Sequence, residues 1–161
     1  MRNKQKKIQI ASNKMRRAIL ETSFNCGASA HIGGALSMVE ILACLYQGVL
    51  NTKGKNRDIF ILSKGHGFLA LLSALYIKKF ISKKKLMTFQ SNGSEIIAHP
   101  IMDPKIGIES SNGSLGQGLS FSIGLALAKK KKKYKGNIFS ILGDGECYEG
   151  SVWESAISAT E

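Results

Sequence analysis

No uninterrupted apolar run in this chain comes near the roughly 20 residues that a membrane span requires; among the longest is Phe68 to Leu72. The basic start also lacks the apolar stretch of about 7–15 residues found in secretion signals, so a cytoplasmic location is expected. Cysteine is sparse. Cys26, Cys44 and Cys147 are odd in number and widely separated, which speaks against a disulfide framework and against a Cys-x-x-Cys metal site. They read as ordinary reduced residues.

Arginine is scarce as well, since the formal net charge of +12 rests on nineteen lysines and only four arginines. Clustered lysines neutralise phosphates. The runs Lys83–Lys85 and Lys129–Lys133, however, carry no interleaved aromatic and no arginine fork for reading bases. Specific nucleic-acid recognition is therefore not expected. The runs read as solvated helix ends, and the second complements the carboxyl-terminal dipole of the helix it closes. A non-catalytic basic protein, either RNA-associated or a folded remnant, stands as the reading from another class.

Repeats and a clear interdomain linker are absent too. At 161 residues the chain fits a single domain over residues 1–161, long enough to bury roughly 70% of its unfolded surface. Helices and strands alternate, which makes the class α/β. Residues 5–24 read as an amphipathic helix with Ile8, Met15, Ile19 and Leu20 near one stripe. Ser37-Met38-Val39-Glu40 has capping-box spacing ahead of an apolar run ending near Val49, so His31 to Leu36 reads as a loop feeding a helix. Ile59 to Leu62 is a short buried strand, Lys64-Gly65-His66-Gly67 a turn, and Phe68 to Ile77 a helix. Residues 89–114 form a long loop. Leu119 to Ala128 is a helix, Asn137 to Leu142 a strand, and Ser151-Val152-Trp153-Glu154 repeats the capping-box pattern as a last helix begins.

The most informative segment is Leu142-Gly143-Asp144-Gly145-Glu146-Cys147-Tyr148-Glu149-Gly150. By itself Gly-Asp-Gly is an ordinary turn. Here it follows what reads as a buried parallel strand, and ligands of doubly wound sheets collect beyond the carboxyl ends of such strands. Gly143 and Gly145 let a phosphate approach the backbone, and Mg²⁺ characteristically shares one or two carboxylates with substrate phosphates. The histidines have a bland reading as surface or core residues. All three nonetheless fall in loops beside small or rigid neighbours, which leaves each ring approachable.

His31-Ile32-Gly33-Gly34-Ala35-Leu36-Ser37, Leu62-Ser63-Lys64-Gly65-His66-Gly67, Ala98-His99-Pro100, Gly113-Ser114-Leu115-Gly116-Gln117-Gly118 and the Asp144 segment follow one another at domain-scale spacing. Together they resemble the amino-terminal, diphosphate-binding domain of transketolase, and especially the amino-terminal subunit of the form divided between two chains. The likeness runs from about Ala30 to the last residue.

That resemblance implies a doubly wound, mostly parallel thiamine diphosphate-binding fold. It also implies transfer of a two-carbon ketol unit from a ketose phosphate to an aldose phosphate, the chemistry of the pentose phosphate pathway. His66 would contact the diphosphate of thiamine diphosphate, and His31 and His99 would line the substrate channel as catalytic groups. Gly113, Ser114, Leu115, Gly143, Asp144 and Gly145 would hold the cofactor, Asp144 as ligand to Mg²⁺ or another divalent cation. Glu149 would join a carboxylate network that links cofactor sites across the interface with a pyrimidine-domain partner subunit, in a homo- or hetero-oligomer. Glu149 also separates this pattern from deoxyxylulose-phosphate synthases, the alternative within the thiamine enzymes. Two expected parts are missing by Glu161: the metal ligands about thirty residues past Asp144, and the pyrimidine-binding domain. The domain is thus expected to be incomplete, the isolated chain inactive, and its origin a truncated gene, a partial chain or a remnant.

Overall fold

The computed structural model describes residues 2–160. Its first helix, α1 (Arg2–Asn25), buries Ala11, Met15, Ala18, Ile19 and Thr22, positions three and four apart that form one stripe. Leu20 does not belong to that stripe. One position on from Ile19 turns the side chain about 100° away, and Leu20 is 52% exposed. Ile19→Ala is accordingly expected to cost about 2–5 kcal/mol and Leu20→Ala no more than about 0.5, as urea denaturation of the two variants would measure.

Next come α2 (Ile32–Leu36) and α3 (Val39–Cys44), the latter running on as a π-helical turn over Leu45–Val49. The segment expected as a loop thus contains a helical turn, and Ser37 does not cap α3. Its hydroxyl donates to the Gly34 carbonyl, while Glu40 pairs with Arg16 of α1. Ile32–Val49 has the length and composition of a membrane-crossing helix, which a search for unbroken apolar runs passes over. Here it is divided among three elements that sink Ala35, Met38, Val39, Leu42, Ala43 and Tyr46 into the core.

Strand β1 (Ile59–Leu62) pairs in parallel with β2 (Ile138–Ile141), Ile59 opposite Ile138 and Leu62 opposite Ile141. Period-two alternation divides the side chains between two faces. Phe60 and Leu62 belong to one buried apolar cluster with residues of α1, α3 and α4 (Phe68–Ile77), whose residues Phe68 to Leu75 are all buried. On the other face Ile59 approaches Leu125 and Ala128 of α6 (Gln117–Lys131). Helices on both faces of a parallel sheet make this an α/β arrangement of the doubly wound kind. Strand β2 is only half-buried, however, where a fully buried one was expected.

Most lysines of the two runs are solvated, as expected: Lys83, Lys84 and Lys130–Lys133 are exposed. Lys83–Lys85 open the short α5 (Lys83–Leu86), with Lys83 paired to Glu21 and Lys85 to Glu95. Lys129 is 8% exposed, and its ammonium donates to the Arg57 carbonyl at 2.5 Å. Arg57 in turn grips Glu109 through both guanidinium nitrogens at 2.6 and 3.0 Å, fastening the approach to β1 onto the long loop. Lastly α7 (Gly150–Ser158) has no side-chain cap. Ser151 donates to the Gly116 carbonyl instead, and Glu154 is exposed, so the second capping box does not form either.

Candidate functional site at the strand ends

Three loops meet beyond the carboxyl ends of β1 and β2. The first follows β1, where Gly65–Gly67 coil into a 3-10 turn that carries His66. The second is the long loop bearing His99, fastened by Asn112, whose amide donates to the Leu62 carbonyl at 2.9 Å and to Ser110 at 2.6 Å. Gly65 allows this close approach. A Cβ there would stand 2.5 Å from the Asn112 carbonyl oxygen and 3.2 Å from the His99 ring. His31 arrives from the residue that precedes α2. The ring centroids of His31 and His66 are 5.8 Å apart and those of His31 and His99 5.9 Å, so residues from three separate loops form one imidazole cluster.

The third loop follows β2. Gly145–Tyr148 form a 3-10 turn, Cys147 donates its amide to the carbonyls of Gly143 and Asp144, and the Trp153 indole of α7 donates to the Cys147 carbonyl at 2.8 Å. Held on these sides, the turn leaves Asp144 and Gly145 exposed. Glu146 points inward and is 1% exposed. One carboxylate oxygen accepts from the Ser63 hydroxyl and from the Gly116 amide at 2.9 Å, and the other accepts from the Gly143 amide at 2.8 Å. Gly116 adopts a left-handed φ of 80° at the start of α6, against Glu149 and Ser151. Sequence reasoning missed Glu146 and Asn112 because their partners are largely backbone groups, which no residue spacing announces.

Burial lowers the pKa of His66, the charge of Lys64 and the neighbouring His31 and His99 add to the effect, and Glu146 opposes it. Lys64 is itself nearly buried, its ammonium 3.3 Å from the Ser37 hydroxyl. Neutral imidazole is therefore favoured in the fold. This contribution to stability is complete above the ordinary value of 6.5 and falls away as the pH drops below it. A proton NMR titration is expected to put the His66 midpoint below 6.5; a midpoint at or above that value would contradict the assignment of its surroundings.

Of the remaining residues singled out in the sequence, Gly113, Ser114 and Glu149 are exposed and Leu115 is half-buried. The Gly143 and Gly116 amides are engaged by Glu146. Those of Gly113, Ser114, Leu115, Asp144 and Gly145 have no partner among the described residues. The same holds for the carboxylates of Asp144 and Glu149. No group of three or more histidine, cysteine, aspartate or glutamate side chains suited to enclosing a metal occurs among the described residues.

Parallel strands with helices on both faces, and loops gathered at the strands' carboxyl ends, define a protein of the doubly wound class, in which ligands characteristically collect at that edge. The family described as "Transketolase, thiamine diphosphate binding domain" matches residues 9–161, and the chain belongs to that family. It is 41% identical over 152 residues to an apulose-4-phosphate transketolase subunit of Actinobacillus succinogenes, covering 91% of this chain and 55% of that protein. It is 38% identical over 164 residues to the 6-deoxy-6-sulfo-D-fructose transketolase subunit SqwG of a Clostridium species, covering 99% of this chain and 59% of that protein. The chain thus spans just over half the length of these relatives. Among solved structures, Campylobacter jejuni transketolase superposes with a TM-score of 0.82 at 28% identity, over 93% of this chain and 25% of that one. The fold expected from the sequence is thereby borne out, as is the likeness to amino-terminal transketolase subunits.

Proposed function

We propose that this chain forms the diphosphate-holding part of a transketolase-type ketol transferase, completed by a pyrimidine-domain partner. The observation that carries the reading is the convergence of His31, His66 and His99 beside the loop that presents Asp144. The surroundings suit thiamine diphosphate. A Cβ on Gly34 would come 2.9 Å from the His66 ring, so glycine keeps the cradle open there. Unpartnered amides at Gly113–Leu115 and at Asp144 and Gly145 are donors for phosphate oxygens. Asp144 as a lone exposed carboxylate fits Mg²⁺, which takes few protein ligands and shares the rest with phosphate and water.

When bound, thiamine diphosphate supplies the carbanion chemistry that carries a two-carbon unit. The chain's own residues position and relay. His66, whose neutral form is favoured by burial and by Lys64, would donate one ring N–H to a diphosphate oxygen. His31 and His99 would line the sugar channel, where their ring nitrogens would take up a hydroxyl proton of the ketose phosphate donor and return one to the carbonyl oxygen of the aldose phosphate acceptor. Glu149, exposed beside Gly116, would be free to join a carboxylate network with the partner. Purified alone, the chain is expected to turn over no ketose phosphate. Carried on through the metal ligands expected about thirty residues past Asp144 and mixed with a pyrimidine-domain subunit, thiamine diphosphate and Mg²⁺, it is expected to transfer ketol units, followed by a coupled aldose assay. Turnover by the chain alone would refute the division of labour. RNA binding that is sequence-selective at physiological salt would favour the RNA-associated reading instead.

A further inference from the structure

Among the described residues, Glu146 is the one buried carboxylate that touches all three parts of the strand-end scaffold. Its partners are Ser63 at the end of β1, Gly116 at the start of α6 and Gly143 at the end of β2. Two of them are backbone amides, so the carboxylate fixes main-chain positions and not merely side chains. We propose that Glu146 is a positioning residue, a clamp that sets the spacing between the His66 turn, the Gly113–Leu115 loop and the Asp144 turn, and so holds the diphosphate and metal groups in register. The proposal rests on the thiamine diphosphate reading for what those loops hold, while the clamp itself rests on the hydrogen bonds alone.

The geometry also divides the donors at the strand ends. Gly116 and Gly143 donate inward to Glu146, whereas the neighbouring amides of Leu115 and Asp144 have no partner among the described residues. Only an acceptor at both oxygens satisfies the arrangement. Glutamine in place of Glu146 has one carbonyl oxygen and one NH₂, so in either orientation its NH₂ meets a backbone N–H, Gly143's or Gly116's. The side-chain volume is unchanged and the core is untouched, yet one amide must lose its acceptor and move.

The test uses isotopically labelled protein carried on through the further metal ligands expected past Glu161, assembled with an unlabelled pyrimidine-domain subunit, and compares wild type, Glu146→Gln and Leu86→Ala. Leu86 is a fully buried core residue of α5. In Glu146→Gln the Gly116 and Gly143 amide resonances are expected to move upfield, those of Asp144 and His66 to shift with them, and the Kd for thiamine diphosphate with Mg²⁺ to rise at least about tenfold. Leu86→Ala is expected to lower Tm by as much or more while leaving those resonances in place and Kd within about twofold. Wild-type resonances or wild-type affinity in Glu146→Gln would overturn the proposal, as would an equal loss of affinity in Leu86→Ala. If Glu146→Gln does not fold, Ser63→Ala removes one donor and leaves both amides on the carboxylate, and a Kd raised about threefold is expected; an unchanged Kd would count against the clamp. Absence of cofactor binding by the wild-type assembly would instead remove the thiamine reading, and the amide resonances alone would then decide for or against Glu146.

Discussion

In Asp144→Ala, magnesium-dependent binding of thiamine diphosphate is expected to disappear, a loss of at least about a hundredfold in affinity. Asp144 is exposed at the tip of a turn fixed from behind by Glu146, Cys147 and Trp153. It makes no ion pair among the described residues, so removing its carboxylate takes nothing from the fold. Stability should stay within about 0.5 kcal/mol of wild type while the anionic diphosphate loses its metal bridge. Glu154→Gln is the contrast. Glu154 is equally exposed but caps no helix, and neither binding nor Tm should change. Calorimetric titration of the assembled enzyme with and without Mg²⁺, alongside thermal denaturation, measures both. Unchanged affinity in Asp144→Ala would dismantle the metal assignment.

Gly118→Ala is expected to destabilise the chain by about 1–3 kcal/mol and to weaken cofactor binding with it. Gly118 is buried in the first turn of α6, and an added Cβ would stand 2.6 Å from the Ser63 Cα, a main-chain atom at the end of β1. Ser63 is wholly buried and donates to Glu146, so it has little room to yield. The gain in helix propensity from glycine to alanine, about 1 kcal/mol, does not offset such overpacking. Gly124 lies in the same helix with nothing within 4 Å of its Cβ position. Gly124→Ala should therefore gain up to about 1 kcal/mol, and urea denaturation of the pair separates steric collision from propensity. Equal effects at both positions would contradict the packing described.

The elements read most directly from sequence were those with unambiguous patterns. Phe68–Ile77 is apolar apart from Ser73 and follows a glycine turn, and it forms the buried helix over the same residues. Ile59–Leu62 likewise forms the strand it suggests. Side-chain hydrogen bonds were less legible. Ser37 and Ser151 both have capping-box spacing, yet each hydroxyl donates to a backbone carbonyl, Gly34's and Gly116's respectively. A serine within reach of such a carbonyl satisfies its hydroxyl there, and spacing alone does not reveal that competitor. The histidine cluster could not come from spacing either, since its members lie on separate loops, and it was expected only because the motifs resembled transketolase. Glu146 escaped notice for a related reason. A glutamate whose acceptors meet two backbone amides and a serine hydroxyl leaves no pairing signal in the residues around it.

Chemical-shift mapping decides the matter, on labelled protein carried on through the further metal ligands expected past Glu161 and assembled with a pyrimidine-domain subunit, as thiamine diphosphate is added with Mg²⁺. The account predicts that the largest changes fall on the rings of His31, His66 and His99 and on the amides of Gly113–Leu115, Asp144 and Gly145. Changes centred instead on the separate cavity bordered by Tyr46, Arg57 and Glu109, with the histidine cluster undisturbed, would contradict it.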